Sequence, residues 1–184
     1  EQKLDYFSGE DYLEQAFKNC QIIFRSPGVK LSKEYLELAK QNSVILTSQA
    51  EWFFDHCPSK IIGVTGTKGK GTTCSLIYEI LTAANLDKKI FLTGNIGKIQ
   101  PLEILDQLSE NDLVVYELSS FQLEFLQKSP SIGVCLMVTE DHLDYHGNSD
   151  DYISAKQAVT KFQHETAHAV SNIDYPASAK IGEL

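Results

Sequence analysis

A parallel α/β sheet with Rossmann-like, phosphate-loop character and helices on its faces is the fold class this sequence predicts, and three observations predict it. Short apolar, β-branched runs alternate with helix-period stretches along the chain, the pattern of β-α-β units. A glycine-rich turn from Gly66 to Gly71 separates one such run from a helical stretch, as at a phosphate-binding strand-loop-helix. Two further runs end in clusters of polar groups, at Glu117 and after Val138, and ligands of open α/β sheets bind at such carboxyl ends.

Taken in order, Cys20 to Arg25 and Ser43 to Thr47 read as strands, with helices from Lys33 to Gln41 and from Ser48 to His56. Lys60 to Thr65 is the strand before the glycine-rich turn, and Thr72 to Ala84 is the helix after it. Lys89 to Thr93 is the next strand, followed by a helix from Leu102 to Leu108. Asp112 to Leu118 and Ile132 to Val138 are buried-strand patterns, and a last strand is expected from Ala167 to Ser171. The helix from Ser149 to Gln163 is read as capped by Ser149, with Asp150 and Asp151 in its first turn. On it Tyr152, Lys156 and Val159 share one face, so Lys156 points inward unless its long stem carries the ammonium back to the surface.

Pro58 and Ser59 mark the expected domain boundary, because the strand and phosphate-loop pattern begin just behind them. Residues 1–58 then form a first region with about two strands and two helices, too few for a doubly wound sheet. Residues 59–184 form a second, and its last strand lies close to Leu184. Truncation is expected at both ends.

The chain has 184 residues, 42% hydrophobic and 22% charged, enough to bury a core. Its net charge of −9 argues against nucleic acid or an anionic membrane as partner, since both require basic patches. Cys20, Cys57, Cys74 and Cys135 lie far apart without C-x-x-C spacing, which points away from zinc and disulfides and toward a reducing, cytoplasmic setting. No apolar run reaches the roughly 18 residues of a membrane span. A soluble monomer is expected.

Chemistry concentrates in four loops. Gly63-Val-Thr-Gly-Thr-Lys-Gly-Lys-Gly-Thr-Thr73 suits a triphosphate: glycines turn the backbone N–H groups inward, the helix start adds positive potential, and Lys70 adds a point charge. Gly66, Thr67, Lys68, Gly69, Lys70, Gly71, Thr72 and Thr73 are the nucleotide-binding candidates, with a Thr72 or Thr73 hydroxyl available to Mg²⁺. The match to G-x-x-x-x-G-K-[S/T] is incomplete, because Val64 holds the first glycine position and Gly71 follows the lysine. Glu117 offers a hard oxygen ligand, with Ser119, Ser120, Phe121 and Gln122 directly behind it. Thr93-Gly-Asn-Ile-Gly97 presents Asn95 between glycines, as ordinary turns also do. Glu140, Asp141, His142, Asp144 and His146 crowd the last loop, where a hard cation held by His142 is more economical than zinc and solvated loop charges remain the alternative.

Together these residues resemble the Mur ligase family over nearly the whole chain. Gly66-Thr-Lys-Gly-Lys-Gly-Thr72 is similar to its phosphate loop, Glu117 and His142 to its metal ligands, and Lys156 to the lysine that becomes carbamylated in many members to hold a second Mg²⁺. Glu117-Leu-Ser-Ser-Phe-Gln-Leu-Glu124 with Gly94-Asn-Ile-Gly97 resembles the branch that adds D-glutamate to UDP-N-acetylmuramoyl-L-alanine in peptidoglycan synthesis. Ser26-Pro-Gly-Val29 resembles the end of a UDP-sugar-binding N-terminal domain, and Asn172 with Asp174 an adenine-side Asn-x-Asp. The resemblance implies an ATP-dependent ligase working through an acyl phosphate. Lys70, Glu117, His142 and Lys156 would carry the chemistry, Thr72, Glu117, His142 and Lys156 the metal, and Asn95, Ser119 and Gln122 the substrate. Gly71 is closer to folylpolyglutamate synthases, and Tyr145 stands where an arginine is common. A sister ligase of that kind, or a non-catalytic nucleotide-binding module, is the alternative.

Overall fold

Every strand pairing is parallel, as the alternation of strand and helix requires. The computed structural model describes residues 11–29, 31–96, 99–139, 141 and 147–183. In chain order the elements are α1 (Tyr12–Asn19), β1 (Ile22–Arg25), α2 (Lys33–Gln41), β2 (Ile45–Ser48), α3 (Gln49–His56), β3 (Lys60–Thr65) and α4 (Lys70–Ala83). There follow β4 (Ile90–Gly94), α5 (Pro101–Ile104, with a 3₁₀ turn over Leu105–Gln107), β5 (Leu113–Glu117), α6 (Ser120–Leu123), β6 (Ile132–Cys135), α7 (Ser149–Gln157), β7 (His168–Ser171) and α8 (Pro176–Gly182).

The chain divides into two units, Glu1–Gln49 and Ala50–Leu184. In the smaller, β1 and β2 pair with Ile22 opposite Ile45, while Phe17 is buried and stacks on Tyr35 at 5.7 Å between ring centroids. The division falls after Gln49, the first residue of α3, whereas the sequence pattern suggests Pro58 and Ser59. The reason is packing: Phe53 and Phe54 of α3 lie 5.3 and 5.8 Å from the Tyr116 ring, inside the core of the larger unit.

The larger unit is a five-stranded sheet in the order β4-β5-β3-β6-β7. Side-chain alternation assigns its two faces. Val114, Tyr116 and Leu118 join Phe53, Ile104, Tyr152, Val159 and Ile181 in the main core, whereas Val64 and Val115 pack with Cys74, Ile77 and Leu81 of α4. The phosphate strand β3 is central, flanked by β5 and β6. Val64 pairs with Glu117, and Thr65 with Cys135, so the carboxyl ends of all three strands open at one edge.

Strand β6 and helix α7 stop well short of their sequence patterns, each because a distant hydroxyl takes over backbone bonds. Strand β6 stops at Cys135 rather than Val138, because the Ser178 hydroxyl donates to Leu136 O at 2.7 Å and accepts from Val138 N at 2.9 Å. Helix α7 stops at Gln157 rather than Gln163. There the Ser129 hydroxyl donates to Ala158 O at 2.7 Å and accepts from Phe162 N at 2.8 Å, standing inside the i to i+4 bond that would have continued the helix. At the other end the cap of α7 is Asn148, not Ser149: the Asn148 side chain accepts from Asp151 N at 2.8 Å.

Candidate functional site

The turn between β3 and α4 is the glycine-rich loop in which the sequence predicts phosphate binding. Gly69 caps α4 in a left-handed conformation, φ 84°, which frees the first turn of the helix from any side-chain cap. Lys70 curls over the loop and donates to Gly66 O at 3.1 Å and Thr67 O at 3.2 Å. Thr67 fastens the loop to the segment after β6. Its N–H donates to Met137 O at 2.7 Å, its hydroxyl donates to Thr139 O at 3.0 Å and accepts from Thr139 N at 3.1 Å. The same hydroxyl lies 3.1 Å from the Tyr152 hydroxyl of α7.

Lys156 does point inward. It is 1% exposed, and its ammonium donates to Thr65 Oγ1 at 3.3 Å and Gly66 O at 3.1 Å while sitting 4.7 Å from the centre of the Tyr152 ring. Burial, with the charge of Lys70 adding to it, pulls its pKa from 10.5 down to about 7. Near neutral pH a sizeable share of this amine is therefore unprotonated and nucleophilic.

Glu117 ends β5 with 6% exposure, and its Oε1 accepts from Asn95 Nδ2 at 3.4 Å. Asn95 N donates to Glu117 O at 3.2 Å, so the turn after β4 is tied to the end of β5. Gly94 makes that approach possible: at φ 101° a Cβ there would overlap the Glu117 backbone. Gly71 has a packing explanation too, since a Cβ there would lie 2.8 Å from Ile96 Cδ1 and 3.4 Å from Glu117 Oε2. Burial, then Glu117, pushes the neighbouring Cys74 thiol up to about 12, so it stays protonated and plays no nucleophilic part.

Ser119 and Gln122 bond to each other. The Gln122 Oε1 accepts from Ser119 N at 2.9 Å and from Ser119 Oγ at 3.0 Å, and Ser119 Oγ accepts from Gln122 N, a capping box on the short helix α6.

The Mur ligase middle-domain family matches residues 64–183, from the end of β3 through α8. The chain belongs to the Mur ligase family. It is 39% identical over 171 residues, 93% of its length, to UDP-N-acetylmuramoylalanine–D-glutamate ligase of Acetivibrio thermocellus, and 41% identical over 159 residues to the Clostridium acetobutylicum enzyme of the same name. It covers 36% and 33% of those two proteins, so it spans about a third of the length of the curated relatives it matches. Among solved structures it resembles a UDP-N-acetylmuramate:L-alanyl-γ-D-glutamyl-meso-diaminopimelate ligase from Neisseria meningitides. There the TM-score is 0.60 at 16% identity, over 92% of this chain and 57% of that one. It also resembles MurF ligase from Thermotoga maritima in complex with ADP, with TM-score 0.54 at 19% identity over 89% of this chain and 48% of that one. These likenesses confirm the α/β fold.

Within this chain the structure brings Lys70, Glu117 and Lys156 to one edge of the sheet, with Asn95 and Ser119 beside Glu117. Thr72 is exposed on the first turn of α4, and Thr73 is half-buried there, its N–H bonded to Gly69 O. Asn172 follows β7, with its N–H bonded to Cys135 O and its side chain accepting from Asp174 N. His142 and Gly97 lie outside the described residues. Among the described residues no group of three metal-ligating side chains occurs. Sequence reasoning passed over Thr65, Thr139 and the Tyr152 hydroxyl. Tyr152 was visible as the inward neighbour of Lys156, one helical turn away, but its bond to Thr67 spans 85 positions and leaves no local signal.

Proposed function

We propose that this chain is the ATP-binding part of a ligase that adds D-glutamate to UDP-N-acetylmuramoyl-L-alanine in peptidoglycan precursor synthesis. The observation that carries the proposal is the convergence of a phosphate loop, a buried glutamate and a buried low-pKa lysine on one edge of a parallel sheet. The names of the two bacterial relatives support the acceptor pair.

Phosphoryl transfer needs crowded negative charge neutralised and the attacking oxygen held in line. Lys70 and the amides at the start of α4 meet the β and γ phosphates of ATP, and the carboxylate of the UDP-sugar peptide attacks the γ-phosphorus. ADP leaves, and the D-glutamate amine displaces phosphate from the acyl phosphate to form the amide. Asn95, Ser119 and Gln122 line the approach of the carboxylate, and Asn172 stands on the adenine side.

The donor set fits Mg²⁺, which takes one or two carboxylates and completes its shell with phosphate oxygens and water. Glu117 is one such carboxylate, and the Thr72 hydroxyl stands on the first turn of α4 behind the loop. Mg²⁺ supplies charge neutralisation to the triphosphate when bound. Lys156 fits only after losing its positive charge, and its depressed pKa makes the amine available to capture CO₂ as a carbamate with release of a proton. His142 is the further ligand in this proposal.

The test is phosphate release from ATP by the full-length protein. Release only when UDP-N-acetylmuramoyl-L-alanine and D-glutamate are both present supports the proposal. Release with L-glutamate, L-lysine, meso-diaminopimelate or a folate acceptor in place of D-glutamate would overturn it.

A further inference from the structure

Tyr152 lies outside the groups placed in the reaction above, yet it touches both the phosphate loop and Lys156. It is 1% exposed, on the face of α7 that carries Lys156, and its hydroxyl reaches the phosphate loop while its ring lies under the lysine. The direction of the hydroxyl bond follows from capacity. A threonine hydroxyl has one proton to give and two lone pairs to fill. Thr67 gives its proton to Thr139 O and fills one lone pair with Thr139 N–H, so the remaining contact, 3.1 Å to Tyr152, is a lone pair receiving the tyrosine proton. Thr67 N–H is taken up as well, by Met137 O. The N–H and the hydroxyl of Thr67 are thus both committed to holding the loop's shape.

We propose that Tyr152 is a positioning residue that sets the phosphate loop and Lys156 at a fixed separation, its hydroxyl holding Thr67 and its ring supporting the lysine. The inference rests on the nucleotide-binding reading above. The hydroxyl arm acts on nucleotide affinity, because it shapes the turn that receives the phosphates. The ring arm acts on turnover, because it orients Lys156.

The two arms separate by substitution in the full-length protein, read by equilibrium binding of a fluorescent ADP analogue with Mg²⁺ and by steady-state kinetics. Tyr152→Phe keeps the ring and loses the hydroxyl. It is expected to weaken nucleotide binding and raise KM for ATP about five- to tenfold, the value of one neutral hydrogen bond, with kcat within about twofold. Tyr152→Leu loses both, and is expected to lower kcat at least about tenfold at saturating ATP as well. Thr67→Ala removes the acceptor, so adding Tyr152→Phe to it should produce no further loss of binding. Multiplying losses in the double variant would overturn the proposal, as would unchanged affinity in Tyr152→Phe, including the case in which only its melting temperature falls. Wild-type protein that binds no nucleotide would overturn both this inference and the reading beneath it, whereas nucleotide binding without the Tyr152 effect would sink the inference alone.

Discussion

Two turns at the same edge of the sheet are held in opposite ways. The phosphate loop, Gly66 to Lys70, is fixed from a distance: Thr67 bonds to residues 137, 139 and 152, and Gly66 O receives a bond from Lys156. The turn at Ser119 to Gln122 is closed locally, through the reciprocal bonds of its capping box. Gly66 O and Thr67 N–H are both taken up by residues of later elements, Lys156 and Met137, so the support of the phosphate loop comes largely from outside it. A capping box closes its turn with residues only three positions apart.

The largest departure is expected at Lys156. Burial holds its pKa at about 7, against 10.5 when exposed, so between those values the unfolded chain binds a proton that the folded chain does not. Through this group stability therefore rises with pH from about 7 to about 10.5, and below 7 the whole penalty remains. Lys156→Met should stabilise the nucleotide-free protein by a few kcal/mol below pH 7, with the gain shrinking toward pH 10. Melting temperatures of both proteins across that range, in bicarbonate-free buffer, would show it; a gain independent of pH would contradict the assignment.

Next comes Thr67→Val, which matches the shape but removes the hydroxyl and strands Thr139 N–H. A loss of about 2–3 kcal/mol in denaturant unfolding is expected. Gln122→Ala opens only the local box and should cost about 1 kcal/mol by the same measurement. If it costs as much as Thr67→Val, the contrast between the two turns fails. The smallest effect belongs to Tyr116→Phe, since the Tyr116 hydroxyl is buried without a hydrogen-bond partner among the described residues. Burial raises its pKa, and its removal should change stability by no more than about 0.5 kcal/mol, in the stabilising direction.

What was legible in the sequence follows the same division. The strand β3 and helix α2 were read at their observed bounds, because apolar periodicity and turn residues are local signals. Lys156 was placed inward from helical spacing alone. The ends of β6 and α7 were overrun, because Ser178 and Ser129 reach them from 40 and 29 positions away. Helices α1, α6 and α8 went unread, although Pro176 at the start of α8 is a recognisable signal. In the candidate site Lys70 and Glu117 were readable because each ends or follows an apolar run. The hub at Thr67 was not, since its partners converge only once β6 and α7 have folded against β3.

The central position of β3 also dictates an order of events during synthesis. Both of its hydrogen-bonded neighbours, β5 and β6, come later in the chain. At about 5–20 residues per second, Ile61 to Val64 waits several seconds for Leu113–Glu117 to emerge. An apolar segment is thus exposed for that interval, a natural place for a chaperone to act. The strand that carries the glycine-rich loop is the first of its sheet to be made and gains its second neighbour only when β6 follows.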